Sequence, residues 1–209
     1  GVLFHTDAVQ AAGHLTINVQ RDNIDMLSLS AHKFHGPKGI GLLFAKSNIQ
    51  LTSLIRGGGQ ERGKRAGTEN LPSIIGLATA LKDAHEHMQQ NTAYITGLRD
   101  ALRNGLDKID GAGFNGSREH CLPGTVNYSF QGVNGETLLS LLSNEGICCS
   151  SGSACSAGSL EPSHVLLALG LSHETAKSAL RFSLCEYNTM DEVQTIITKV
   201  TEAVNRLRR

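Results

Sequence analysis

Short apolar runs separated by polar, glycine-containing segments predict strands in the first quarter of the chain. The runs cover residues 2–8, 24–28 and 39–46, and each has the length of a buried strand. Residues 56–70 follow, where five glycines oppose regular structure and indicate a loop whose backbone approaches another group closely.

A helical repeat of apolar residues begins after this loop. It opens with a leucine–proline pair and predicts a helix over residues 71–87. A second helix is predicted over residues 92–109. The polar residues 89–91 separate the two repeats, so we place a domain boundary there, which divides the chain into residues 1–88 and 89–209.

The second half alternates strand and helix patterns. Residues 125–130 alternate like a half-buried strand, and residues 191–208 carry one apolar face, which predicts a closing amphipathic helix. The other predicted elements are a turn at 111–116, a helix at 135–144, a short strand at 147–149, short helices at 162–169 and 173–179, and a strand at 180–184. Together they predict a small α+β domain.

Composition narrows the class of protein. The chain has 209 residues, 40% of them hydrophobic, with 19 basic and 19 acidic side chains. This balance argues against nucleic-acid binding, and no apolar run approaches the roughly 18 residues of a membrane span. Five cysteines, an odd number, favour reduced thiols and a cytoplasmic protein. Because Gly1 leads straight into an apolar strand, we expect the sequence to begin partway through a domain.

Residues 28–41 connect two predicted strands and carry Ser30, His32 and Lys33 within four positions. A lysine at the edge of an apolar sheet loses hydration, so its pKa should fall. A neutral amine can form a Schiff base with a carbonyl cofactor. The alternative is an ordinary basic loop.

Three further features suggest a cofactor site, each with a simpler alternative. Asp7 follows a strand and could pair with a protonated ring nitrogen, or merely cap the next segment. Ser30 and His32 could hold a phosphate, or form local turn bonds. The loop at residues 57–67, with Thr68 beside it, could contact an anion, although it matches no Walker or G-x-G-x-x-G pattern.

Cys155 lies in residues 150–159, which contain no bulky side chain, so we expect an exposed thiol with a function. The alternative is a free thiol in a linker. The cysteines Cys148, Cys149 and Cys185 lie in apolar runs and are expected to be buried and inert. No C-x-x-C pair is present, so a structural metal is not expected.

Arg181 interrupts an otherwise apolar strand. A buried arginine needs an anion, and its guanidinium suits a carboxylate. An internal ion pair is the alternative.

These features occur in a distinctive order. They are Asp7-x-x-Gln10, Ser30-x-His32-Lys33, R-G-G-G-Q-E-R-G-x-R-x-G-T-E-N at 56–70, S-S-G-S-A-C at 150–155, S-L-E-P-S at 159–163, and Arg181-Phe182-Ser183. This order resembles the cysteine desulfurases of the NifS/IscS type, enzymes of the class V aminotransferase group that depend on pyridoxal 5'-phosphate (PLP), over essentially the whole chain. The resemblance implies an α/β fold: the C-terminal part of a fold type I (aspartate aminotransferase-like) large domain with a mostly parallel sheet, plus a small α+β domain that carries the cysteine loop.

The resemblance also implies roles for individual residues. Lys33 would bind PLP covalently and then move protons, and Cys155 would take sulfur from L-cysteine as a persulfide. Arg181 would hold the substrate α-carboxylate. The implied cofactor contacts are Asp7 to the pyridine nitrogen, Gln10 to the ring hydroxyl, Ser30 and His32 to the phosphate, and Thr68 to the phosphate of the neighbouring subunit in a homodimer. A sulfur-acceptor protein, such as an iron–sulfur scaffold, is the implied partner.

Members of this family carry a substantial portion before the first strand found here, which supplies a stacking ring and further phosphate ligands. Three other functions therefore remain open. The chain could act as a selenocysteine lyase or cysteine-sulfinate desulfinase, as a non-catalytic fragment that binds a partner, or as a plain class V aminotransferase, which would need no Cys155.

Overall fold

Strands and helices alternate through the computed structural model, which describes residues 1–151 and 161–209. The chain folds into two compact units, Gly1–Gln89 and Gln90–Arg209. Each unit contains one three-stranded sheet. The architecture is therefore α/β, as predicted. Cys155 lies outside the described residues.

The sheet of the first unit is mixed. Its strands are β1 (His5–Asp7), β2 (Met26–Ser30) and β3 (Gly41–Ala45). β2 lies in the centre, parallel to β1 and antiparallel to β3. Leu27 pairs with Phe44 across β2 and β3 and packs with Ile24 in a small apolar cluster, so alternate positions of β2 form the buried face.

The first strand is shorter and more exposed than predicted. Residues 2–8 were expected to form a buried strand, but only His5–Asp7 pair with β2. Val2 is 98% exposed, and Leu3 and Phe4 are about half exposed. In the first unit β1 has a single neighbour, so its outer side offers no surface on which these apolar side chains could pack.

A single helix, α1 (Leu71–Leu106), replaces the two helices predicted on either side of residues 89–91. The predicted break was wrong because the residues there, Gln89, Gln90 and Asn91, are polar but include neither proline nor glycine, so the backbone hydrogen bonds continue. The two compact units divide within this helix. Among the described residues, no helix is both long and apolar enough to cross a membrane.

The sheet of the second unit is antiparallel, in the order β4–β5–β6. Its strands are β4 (Ala112–Phe114), β5 (Thr125–Phe130) and β6 (Ala179–Ser183), and its helices are the end of α1, α2 (Gly135–Asn144), α3 (His164–Ala168), α4 (His173–Lys177) and α5 (Met190–Leu207). Asn134 caps α2 by accepting a bond from the Thr137 N–H, and Thr189 forms a capping box with Glu192 at the start of α5. Residues 147–149 are not the strand predicted. Ser150 alone forms an isolated bridge, to Arg181.

The alternation in β5 separates an apolar from a polar face of this sheet. Val126, Tyr128 and Phe130 are fully buried, and they pack in one cluster with apolar residues of α1, α2 and α5. Asn127 and Ser129 point to the opposite face. The apolar face therefore holds the unit together, and the polar face is left for other contacts.

One polar network adjoins this core. The Tyr128 hydroxyl donates to Asp107 Oδ1 at 2.6 Å, and the Arg118 guanidinium donates two bonds to the same carboxylate at 2.7 and 2.9 Å. The pKa of Asp107 is lowered, mainly by its bonds from Arg118. Burial, followed by the bond to Asp107, raises the pKa of Tyr128.

We expect this network to stabilise the protein above pH 4 and to lose its effect in acid. The carboxyl of Asp107 has a lower pKa in the folded chain than in the unfolded chain, so its contribution is complete above the unfolded value, near 4, and disappears as the pH falls through the folded value. Asp107→Asn should lower the free energy of unfolding by about 0.5–1 kcal/mol at pH 7, because Arg118 is half exposed. Urea titrations from pH 3 to pH 7 measure this, with the exposed Asp110→Asn as control. A difference between wild type and Asp107→Asn that does not shrink as the pH falls from 5 to 3 would contradict it.

Candidate functional site

The parallel pairing of β1 and β2 brings several candidate residues to one edge of the first sheet. Asp7 ends β1 opposite Ser28, and β2 continues two residues further to Ser30. A 3-10 turn, Ala31–Phe34, follows at once and contains His32 and Lys33. Because carboxyl ends of parallel strands share an edge, the carboxylate, hydroxyl, imidazole and amine are grouped there.

The backbone of this turn is fixed on both sides. Ala31 and Phe34 are buried, while the side chains between them are exposed. The Ala31 N–H donates to the Ile40 carbonyl at 3.1 Å, and the Gly36 N–H donates to the Ala31 carbonyl at 2.9 Å. A Cβ at Gly36 would lie 2.9 Å from the Cβ of Ala31, so only glycine fits without a shift.

Two of the simpler alternatives, the local turn bond and the capping bond, are present in the structure. Each leaves a further side-chain atom available to a ligand. Ser30 Oγ and His32 Nδ1 are 2.9 Å apart, which is a local turn bond. His32 Nε2 is not engaged in it. Asp7 Oδ1 accepts a bond from the Val9 N–H at 2.9 Å, and Asp7 Oδ2 has no hydrogen-bond partner among the described residues. Local bonds therefore orient these side chains and leave His32 Nε2 and Asp7 Oδ2 outside them.

The burial expected for Lys33 is not found. Its side chain is exposed in the first unit, because Phe34 takes the buried position of the turn. The described residues therefore do not shield the Lys33 amine from water, and the loss of hydration predicted from the sequence is not observed among them.

Gln10 and Thr68 are both exposed in irregular segments. Gln10 lies in the turn after β1. Thr68 ends the glycine-rich loop, which is irregular apart from a short 3-10 turn, Gln60–Gly63, and which is closed by a bond from the Gly67 N–H to Gln60 Oε1 at 3.1 Å. Glu61 and Arg62 both have positive φ within it, a conformation that costs non-glycine residues about 1 kcal/mol each.

Arg181 lies in the second unit, at the centre of β6. Its backbone N–H and carbonyl pair with Ser150 at 2.6 and 3.0 Å, and its side chain is half-buried. Among the residues described, no hydrogen bond or ion pair involves its guanidinium. The internal ion pair considered above therefore has no partner among these residues, and the contact of Arg181 with an external carboxylate stays a prediction.

The structure separates the described cysteines by environment. Burial raises the pKa of Cys149 to about 11, so this thiol is protonated near neutral pH. Cys148 is exposed, and its predicted burial was wrong because residues 147–149 do not form a strand. Cys149 and Cys185 are partly buried, and not fully buried as predicted for both.

Sequence reasoning missed a row of polar residues on the second sheet. Asn115 Nδ2 donates to Asn127 Oδ1 at 2.7 Å and to Ser129 Oγ at 2.8 Å. Asn127 in turn lies opposite Arg181 in the register of β5 and β6. The polar positions in the alternation of residues 125–130 could have indicated this row.

A cleft of about 740 Å³ borders the far end of this polar row at Asn115 and Ser129, and none of the candidate site residues lines that cleft.

With this geometry established, comparison with known proteins identifies the family. The family model for class-V aminotransferases matches residues 1–196. The chain belongs to the class-V aminotransferase family. Relatives of this family member include a cysteine desulfurase of Gluconacetobacter diazotrophicus, 47% identical over 209 residues that cover 100% of the chain and 52% of the relative. A cysteine desulfurase IscS of Clostridium botulinum is 47% identical over 210 residues, with 99% and 53% covered.

Solved structures of NifS-like proteins also match the chain. A NifS-like protein matches with a TM-score of 0.88 and 39% identity, covering 98% of this chain and 52% of that protein. A NifS-like protein of Rickettsia africae matches with a TM-score of 0.90 and 32% identity, covering 97% and 54%. This class-V family member therefore spans about half the length of the relatives it matches.

Proposed function

We propose that the chain forms part of a PLP-dependent cysteine desulfurase, which converts L-cysteine to L-alanine and transfers the sulfur to Cys155. The observation that carries this proposal is the grouping of Asp7, Ser30, His32 and Lys33 at one edge of a parallel strand pair. The names of the relatives, cysteine desulfurase and IscS, support the choice of reaction.

The side chains at this edge fit PLP chemically. Asp7 has an oxygen available for a protonated ring nitrogen, and the amide of Gln10, three residues on, would suit a ring hydroxyl. The hydroxyl of Ser30 and the imidazole of His32 suit a phosphate. Lys33, exposed at the same edge, offers an amine to the carbonyl carbon. When bound, PLP supplies an electron sink that weakens bonds at the substrate α- and β-carbons.

The remaining residues act on the substrate. We assign Arg181 to the α-carboxylate, which it would orient through two parallel N–H···O bonds. The Lys33 amine would carry a proton to and from the substrate α-carbon.

Sulfur transfer from L-cysteine to Cys155 requires no additional oxidant or reductant. The Cys155 thiolate forms an S–S bond to the substrate sulfur as the Cβ–S bond breaks, and the bonding electrons remain with Cβ, which is protonated. The products are L-alanine and a Cys155 persulfide. We further propose a cytoplasmic homodimer in which Thr68 contacts the neighbouring cofactor, and a sulfur-acceptor protein, such as an iron–sulfur scaffold, as the partner.

Assays on the complete protein that carries this sequence test the proposal. We expect PLP to be retained after desalting, and L-alanine and sulfide to form in equal amounts from L-cysteine in the presence of a reducing thiol. The kcat/KM for L-cysteine should exceed that for L-cysteine sulfinate by at least about tenfold, which is roughly 1.4 kcal/mol of transition-state stabilisation. Preference for the sulfinate or for L-selenocysteine would favour the related lyases. Failure to retain PLP would favour a non-catalytic, partner-binding protein.

A further inference from the structure

The polar face of the second sheet places Asn127 directly beside Arg181. The two residues lie opposite each other in the antiparallel pair β5–β6, so their side chains lie on the same face. The backbone N–H and carbonyl of Arg181 bond to Ser150 on the other side, which makes Asn127 and Arg181 a non-hydrogen-bonded pair. In such pairs the Cα atoms are only about 4.5 Å apart and the side chains approach most closely.

The hydrogen bonds of Asn127 leave its donors available. Its side-chain oxygen accepts the bond from Asn115 Nδ2, and its backbone carbonyl accepts from the Asn115 N–H at 2.9 Å. The first bond orients the side-chain amide, and the second fixes the backbone that carries it. Within residues 1–151 and 161–209, neither the Asn127 amide NH2 nor the Arg181 guanidinium has a hydrogen-bond acceptor. Both side chains are only half-buried, so a ligand from solvent can reach them.

The charges on this face favour an anion. The side chains that share it in the three strands are those of Thr125, Asn127, Ser129, Arg181 and Ser183, with Gly113 and Ala179. None is a carboxylate, and Arg181 contributes the single formal charge. A carboxylate has two oxygens that accept several bonds, which matches a guanidinium beside an amide NH2.

We propose that Asn127 is a second ligand of the substrate α-carboxylate, donating an Nδ2–H to the anion held by Arg181, and that Asn115 is a positioning residue that sets the Asn127 amide. The proposal rests on the function proposed above. It adds Asn127 to Arg181 as a residue that selects substrates with an α-carboxylate. A simple amine with no carboxylate would not engage this pair.

The test compares two ligands that differ by the carboxylate. Dissociation constants for L-alanine and ethylamine are measured from the change in visible absorbance of the PLP-loaded complete protein. In Asn127→Ala we expect L-alanine to bind about tenfold more weakly, the loss of one hydrogen bond to a charged group. Ethylamine should bind within about twofold of wild type. Asn115→Ala should weaken L-alanine binding about threefold with the same selectivity, and Thr125→Ala, on the same face of β5, is the matched control.

The outcomes separate this proposal from the function on which it rests. If Asn127→Ala weakens the binding of both ligands equally, or of neither, the assignment of Asn127 is overturned. The proposed function still stands in that case if the wild-type protein, measured in the same experiment, has desulfurase activity. A wild-type protein that retains PLP but forms no L-alanine from L-cysteine overturns the proposed function, and this outcome does not depend on the Asn127 variant.

Discussion

Replacing Lys33 with alanine should abolish turnover of L-cysteine, with a loss of at least about a thousandfold in kcat. The amine has two roles in the proposed reaction, covalent attachment of PLP and proton transfer at the substrate α-carbon. Alanine removes both. The turn that carries Lys33 is held by Ala31, Phe34 and Gly36, none of which is changed. The fold should therefore survive the substitution.

Borohydride reduction followed by peptide mass spectrometry tests the attachment independently of activity. In the wild-type protein we expect the reduced cofactor on the peptide that contains Lys33. Lys38→Ala is the matched control, since Lys38 is also exposed and lies five residues further along the same segment; it should retain both the label and the activity. A labelled Lys33→Ala protein, or an active one, would exclude the proposed role.

The grouping of this site could be predicted because it depends on strand order and chain connectivity. Asp7 and Ser30 follow apolar runs, and the carboxyl ends of parallel strands meet at one edge. The exposure of Lys33 could not be read from the sequence. It depends on which residue of the Ala31–Phe34 turn takes the buried position, and the apolar Phe34 does so.

In the second unit, the predicted bounds match the structure best where several local sequence signals indicate the same element. Residues 125–130 alternate with period two, and residues 135–144 follow an asparagine cap that is present in the structure. Residues 147–149 have the composition of a strand but pair with no strand in the part of the chain that the structure describes, where Ser150 next to them forms a single bridge to Arg181. Composition alone does not show whether a segment has a partner strand.

The Asn127 site shows a further limit of reading the sequence. The asparagine occupies an ordinary polar position in an alternating strand. Its chemical interest comes from the register that sets it opposite Arg181 and from the Asn115 bond that orients it. Both are tertiary properties that only the structure supplies.

Replacing Cys155 with alanine should lower sulfide and L-alanine formation from L-cysteine by at least about a hundredfold, because it removes the thiolate that accepts the substrate sulfur in the proposed reaction. PLP retention and the absorbance change on adding L-cysteine should persist, since the cofactor and substrate contacts are untouched. Among the other cysteines, Cys149 is a poor substitute, because burial raises its pKa to about 11 and leaves little thiolate at neutral pH.

Cys148→Ala provides the matched control for this substitution. Cys148 is exposed and precedes Cys155 by seven residues, so its replacement removes an accessible thiol from the same part of the sequence. We expect its activity to stay within about twofold of wild type. A labelling experiment completes the comparison: after incubation with L-cysteine and alkylation, the additional sulfur should be found on the Cys155 peptide in wild type and in Cys148→Ala. Sulfur on the Cys148 peptide would exclude Cys155 as the acceptor and assign that role to Cys148. Full activity in Cys155→Ala with no labelled cysteine peptide would favour a lyase that releases its product without an enzyme-bound persulfide.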